Sequence, residues 1–237
     1  MTCELCLLEK PLRNSHVIPE FMYSSLYDDK HRFHVLSSTD TSRNRREQKG
    51  LREELLCGDC EEQLSKHERY VSLIFSGGIR VKSKRNGDLV KIEGLDYNHF
   101  KLFGLSILWR AGVSKQQFFS EVSLGYHEES IRQLVHANRP GNSDQYGFFL
   151  SPIVFNNQDV KDLIVQPTLS RLDGHKCYRF VFGGLVWVFV VSSHKPPEVF
   201  RNAFINNNGE MLMLVSELQD ITFISRAMHS ITRSHLI

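Results

Sequence analysis

Four of the five cysteines fall into two pairs of identical spacing, Cys3-x-x-Cys6 and Cys57-x-x-Cys60, while Cys177 stands alone. Each pair offers two thiolates from one tight turn. Two such turns supply the four sulfurs that close a tetrahedral zinc shell at roughly 2.3 Å. A shell of four thiolates leaves no open position, so the expected Zn²⁺ is structural rather than catalytic. Disulfides would need an oxidising compartment. The opening Met1-Thr2-Cys3-Glu4-Leu5-Cys6 lacks the basic and apolar stretches of an export signal, and a reducing, cytoplasmic setting is expected. A redox CxxC would follow a strand of a βαβ unit, which the pattern does not suggest.

The elements that must position these thiols are legible in outline. The 237 residues are 41% hydrophobic and 24% charged with net charge +2, which fits a folded chain with a real core and excludes general disorder. The most apolar stretch, Phe180 to Val191, is split by Gly183-Gly184 and reads as a buried hairpin, too short to span a bilayer; no membrane partner is expected. Residues 1–95 are polar and cysteine-bearing, with a helix predicted from Glu61 to Phe75 and a hairpin over Ile79 to Ile92 turning at Asn86-Gly87. Residues 96–237 predict an α+β domain. Its helices are read at Tyr97–Ala111, Glu128–Asn138 and Asp220–Ser230, and its strands at 147–155, 163–170, 177–182, 185–192 and 210–214. The middle strands should form an antiparallel meander. No phosphate-cradling glycine loop, nucleophile elbow or HExxH occurs.

Between the cysteine pairs lies Ser15-His16-Val17-Ile18-Pro19-Glu20. A first knuckle, a His-apolar-apolar-Pro strand and a second knuckle opening a helix, in that order, resemble the HNH endonuclease family over roughly residues 1–75. The resemblance implies a treble-clef ββα-metal finger, with His16 as the general base that polarises water against a scissile phosphate. It also implies a divalent cation, Mg²⁺ or Mn²⁺, at the leaving oxygen. Histidine suits the task because it is unprotonated near neutral pH. The chain departs from the family at the metal ligands. Ser15 stands where Asp or His is usual, and Glu61, followed by Glu62, stands after the second knuckle where His or Asn is usual. Glu61 is a competent Mg²⁺ ligand at a helix start, and Glu68, two turns on, could join it. Alternatively, Glu61 and Glu62 simply complement the helix dipole. Asn14 is a further candidate, and Glu20 is recommended only by its closeness to His16.

For nucleic-acid binding, DNA more than RNA, the candidate backbone contacts are Arg43, Arg45, Arg46 and Lys49 in the loop between the knuckles. Lys82, Lys84 and Arg85 on the predicted hairpin join them, or equally form a solvated edge strand protected by charge. His31 and His34 could touch phosphates or belong to a loop, and His67 and Glu68 read chiefly as a solvated helix face. The run Gly50-Leu51-Arg52-Glu53, with Cys60-Glu61 and Glu68-Arg69-Tyr70 beyond it, also resembles uncharacterised bacterial HNH-like proteins, a group linked to defence against phage. The leading expectation is therefore a metal-dependent endonuclease whose second domain holds nucleic acid, recruits a protein partner or senses a trigger. The alternative is a zinc-stabilised adaptor whose catalytic centre has decayed.

Overall fold

A computed structural model describes residues 1–30, 32–35, 45–47 and 50–224. Strand β1 (Leu12–His16) and strand β4 (Arg52–Cys57) pair antiparallel, with Leu12 opposite Cys57 and His16 opposite Arg52. In the segment between them β2 (Phe33–Val35) and β3 (Arg45–Glu47) form a second short pair. Helix α1 (Gly58–Phe75) leaves β4 directly, with Cys57 as its N-cap. The helix therefore starts three residues earlier than the sequence predicts, because the second knuckle is itself its first turn. Its buried residues Cys60, Leu64, His67 and Val71 follow helical spacing and so form one face. Asp59 and Glu61 place negative charge at the positive end of the dipole.

The predicted hairpin forms as β5 (Lys82–Asn86) and β6 (Leu89–Glu93), turning through Gly87-Asp88, one residue later than expected. Its free edge is then completed by a strand from far downstream, β12 (Met211–Leu214), which pairs with β6 from Met211 opposite Ile92 to Leu214 opposite Leu89.

Helix α2 (Tyr97–Val113) is capped by Asp96, whose carboxylate accepts the His99 N–H at 2.9 Å. Every residue from Phe100 to Ala111 is buried, so this helix is apolar nearly all round and forms the centre of the molecule. Helix α3 (His127–His136) packs beside it through His127, Ile131 and Val135. The large sheet contains β7 (Phe148–Phe155), β8 (Gln158–Asp159), β9 (Val165–Leu172), β10 (His175–Phe182) and β11 (Leu185–Val190). A short helix α4 (Glu198–Arg201) precedes β12, and β13 (Ser216–Glu217) follows it. Strand order is β13-β7-β11-β10-β9, with β8 against β7. All pairings are antiparallel except β13 with β7, and β9-β10-β11 is the expected meander. The fold is thus mixed α+β with mainly antiparallel sheets.

Alternate residues of β11 explain its continuous apolar sequence. Trp187 and Phe189 face the core built on α2, and Val186, Val188 and Val190 face a second core containing Phe204 and Phe223. A strand buried on both faces reads as one hydrophobic run. The main core continues without a break from Cys3 and Val17 through Leu105 to Trp187 and Met211. Packing therefore runs across the position near 95 where the sequence changes character. Of the predicted last helix, residues 222–224 are helical, and residues 225–230 lie outside the described ones. No described helix is long and apolar enough to cross a membrane.

Candidate functional site

The two cysteine pairs converge. The sulfurs of Cys3, Cys6, Cys57 and Cys60 all lie within 4.8 Å of one another, with no disulfide among them. A tetrahedron with Zn–S of about 2.3 Å has sulfurs about 3.8 Å apart, and Cys6 Sγ stands 3.9 Å from Cys57 Sγ. The local chain is built for this. After Cys3 the backbone turns through Leu7 at φ +60°, and the Leu7 N–H donates to the Cys3 carbonyl at 2.9 Å. The Glu4 N–H donates to the Leu55 carbonyl at 3.0 Å, fastening the first knuckle to β4. The Cys57 N–H donates to the Cys3 sulfur at 3.3 Å.

Burial opposes ionisation of Cys3, but the N–H groups of Cys6, Cys57 and Leu5 outweigh it and bring the thiol down to about 7. Burial pushes the Cys60 thiol far up, and the neighbouring sulfurs add to that. Four thiolates in so small a volume need a cation among them, and this donor set could hold a metal ion such as zinc. Cys177 is buried in β10, away from the cluster, as its isolation in the sequence suggested.

His16 ends β1 opposite Arg52. Pro19 follows and leads into a 3-10 turn, Glu20–Tyr23, that returns Glu20 to the imidazole: His16 Nε2 and Glu20 Oε2 are 2.6 Å apart. The other Glu20 oxygen accepts from the Tyr27 hydroxyl at 2.6 Å, and Arg52 Nη2 approaches Oε2 at 3.5 Å. Burial and the Arg52 guanidinium lower the His16 pKa against the pull of Glu20. Burial also works against the charge of Glu20, but Tyr27, His16 and Arg52 hold its carboxyl below the ordinary value. An ionised Glu20 accepts a proton-bearing Nε2, which leaves the lone pair on Nδ1. Nδ1 has no hydrogen-bond partner among the described residues. Gly50 closes the crevice. A Cβ there would lie 2.9 Å from Tyr23, 3.0 Å from Glu20 and 3.1 Å from the His16 ring.

From behind, α2 supports the end of β1. Arg110, 1% exposed, donates through Nη1 to the His16 carbonyl at 2.6 Å, and its Nη2 pairs with Glu68 of α1 at 2.8 Å. Ser106 accepts from Nε through its carbonyl and from Nη2 through its hydroxyl, each at 3.2 Å. Sequence reasoning missed Arg110 and Tyr27 and met Arg52 only as part of the Gly50–Glu53 run, with no link to His16. Only Glu20, four residues after His16 across a proline, left a local signal.

The other predicted site residues are scattered. Ser15 is fully buried; its hydroxyl donates to the Arg13 carbonyl at 3.3 Å and accepts the Leu56 N–H at 3.2 Å, so it binds the two strands together. As the strand neighbour of His16 it points to the opposite face. Glu61 is half-buried, with an oxygen that makes no hydrogen bond among the described residues, Glu62 is exposed, and Glu68 is held by Arg110. Apart from the cysteines, no three His, Cys, Asp or Glu donors converge among the described residues. Glu61, Glu62 and Glu68, predicted with Ser15 as Mg²⁺ or Mn²⁺ ligands, thus form no three-donor group among the described residues. His67 lies on the buried face of α1 rather than on a solvated one, because its ring nitrogens are engaged inside, 2.8 Å from Asn138 Oδ1 and 3.0 Å from His99 Nδ1.

Lys82, Lys84 and Arg85 are exposed on the edge strand β5, Lys82 and Lys84 on one face and Arg85 on the other. Arg45 and Arg46 lie on β3, whereas Arg43, Lys49 and His31 fall outside the described residues. Comparison with protein families, curated proteins and solved structures finds no match for this chain.

Proposed function

We propose that the chain is an endonuclease of the HNH type that hydrolyses phosphodiester bonds, DNA more readily than RNA, with residues 1–75 as its treble-clef finger. The observation that carries this reading is the state of His16. It is half-buried and anchored through Nε2 by Glu20, and its Nδ1 makes no hydrogen bond among the described residues, at the end of the strand that joins the first knuckle to the rest of the finger. An imidazole in this state accepts a proton from a water attacking phosphorus, and the Glu20 carboxylate stabilises the imidazolium that forms. The new P–O bond to water replaces the P–O bond to the leaving group, which takes its proton from solvent. The described carboxylates do not converge on a second ion, so the proton transfer is assigned to His16 alone. A Mg²⁺ or Mn²⁺ requirement is tested by titration. Lys82, Lys84 and Arg85, exposed on β5, are candidates for contact with the phosphate backbone, together with Arg45 and Arg46 of β3, and the setting suggested by the bacterial HNH-like group is defence against phage.

Zinc-loaded protein should nick supercoiled plasmid in the presence of Mg²⁺ or Mn²⁺, and the His16→Ala variant should not. Equal nicking by both would falsify the assignment of His16. A second reading, a zinc-stabilised adaptor that binds nucleic acid or protein without cutting it, is favoured by the burial of Ser15 and the dispersal of Glu61, Glu62 and Glu68. It predicts one tight zinc, no weaker divalent ion, and binding indifferent to His16→Ala.

A further inference from the structure

A cavity of about 500 Å³ lies where the end of α1, the Glu20–Tyr23 turn, the β6-β12 pair and the Gly183-Gly184 turn meet. The cavity is half-open to solvent, and small-molecule sites typically measure about 300–1,000 Å³. The wall is apolar and rich in rings and sulfur: Phe21, Phe75 and Phe100 with Met22, Met211 and Met213. Aromatic faces favour a flat ring, and methionines adapt to its outline.

The polar groups nearby are mostly engaged. The Ser25 hydroxyl donates to the Lys161 carbonyl at 2.7 Å, Ser24 and Ser76 donate to carbonyls of their own turns, and Lys161 Nζ stands 3.4 Å from Asp159. Ser72, half-buried on α1, is the one lining serine whose hydroxyl makes no hydrogen bond among the described residues. The charge in the lining is neutralised in place, and one hydroxyl is left to fix an orientation.

The cavity also adjoins the His16 cluster through three consecutive residues. Glu20 holds the imidazole, while Phe21 and Met22 form part of the cavity wall. Met22 is seated tightly on the turn between β10 and β11, since a Cβ on Gly183 would come within 2.7 Å of its sulfur. A molecule that shifts the backbone at Phe21 or Met22 moves Glu20 with it, as the three share one short turn.

We infer that this cavity binds an uncharged, ring-bearing, mainly apolar small molecule held by the Ser72 hydroxyl, and that its occupancy is transmitted to His16 through the Glu20–Tyr23 turn. The test uses the full zinc-loaded chain and N-phenyl-1-naphthylamine, an uncharged fused-ring fluorophore with an N–H that the Ser72 hydroxyl can accept. Saturable binding of one probe per chain is expected, with shifts in the methyl signals of Met211 and Met213 and in the ring ¹H–¹⁵N signals of His16. Ser72→Phe fills the cavity and should weaken binding at least tenfold; Met213→Trp does the same from the opposite wall. Absence of saturable binding overturns the site, as does binding that leaves the Met211 and Met213 methyls unmoved. Undiminished binding by either folded variant also overturns it. Binding with unchanged His16 signals overturns the coupling. None of these measurements needs nuclease activity, so failure of the phosphodiester reading leaves the inference separately testable.

Discussion

Replacing Arg110 by Met tests whether the interior helix α2 positions the His16 strand. The substitution preserves most of the side-chain length but removes the donors to the His16 carbonyl at 2.6 Å and the cation 2.8 Å from Glu68. Breaking a buried ion pair by deleting one partner costs about 3–5 kcal/mol, and a buried carbonyl left without its donor adds about 1–3 kcal/mol. Glu68 is 23% exposed and recovers some hydration, which places the net loss near the lower bound, about 3 kcal/mol. At roughly 2–4 °C per kcal/mol for a chain of this size, the midpoint of thermal unfolding should fall by about 6–12 °C. Calorimetry on the wild type, Arg110→Met, Glu68→Gln and the double variant closes the cycle. The double variant should be less destabilised than the sum of the singles by about 1–3 kcal/mol, because each single leaves the other group stranded. The His16 ring signals should move in Arg110→Met. A loss below about 1 kcal/mol, or strict additivity of the two substitutions, would refute the strut.

Three further expectations follow from the same structure. Purified protein should contain one zinc per chain, and Cys57→Ser or chelation should lower a single global unfolding transition, because Cys3 and Cys57 belong to the same core as Leu105 and Trp187; separate melting of residues 1–75 in calorimetry would contradict this. Glu20→Leu should remove the carboxylate from His16 Nε2 and cut nicking by 10²-fold or more on the order expected for a misoriented base, while leaving zinc content unchanged; a wild-type rate would show that Glu20 has no part in positioning. Stability should respond to pH in two windows. Burial lowers the pKa of His16, His67 and His127, so the unfolded chain takes up protons first as pH falls through 6.5, and stability is lost on acidification. Burial also brings the Lys101 ammonium down to about 7 from 10.5, so stability should rise with pH across that interval. Denaturant titrations of Lys101→Met should show that rise flattened, and an unchanged slope would count against a buried neutral amine.

What the sequence discloses is local. The knuckles, the Asn86-Gly87 hairpin and the faces of α1 and α3 all follow from spacings of a few residues, and each appears within a residue or two of its expected place, except the start of α1. What it conceals is held together over long separations. Nothing near Arg110 indicates a carbonyl on residue 16, and a polar residue inside an otherwise apolar helix reads simply as a gap in the pattern. Met211–Leu214 reads as a strand but carries no sign of its pairing with β6. Ser15 misleads for a related reason. Position in a motif suggests metal, whereas strand alternation turns its hydroxyl inward to Leu56. The convergence of Glu20, Tyr27 and Arg52 on His16 likewise arises from a turn and a strand register that only the folded chain displays.

The pairing of β12 with β6 also sets an order of events on the ribosome. All four thiols have been synthesised by residue 60, so the knuckles can load metal while most of the chain is still to be made. The strand opposite Ile92 arrives only at Met211, and the guanidinium that grips His16 arrives at residue 110. A nascent chain therefore carries its four thiols long before it carries the arginine that grips the His16 carbonyl. A truncation that stops short of residue 211 keeps all four thiols but loses the third strand of the β5-β6-β12 sheet.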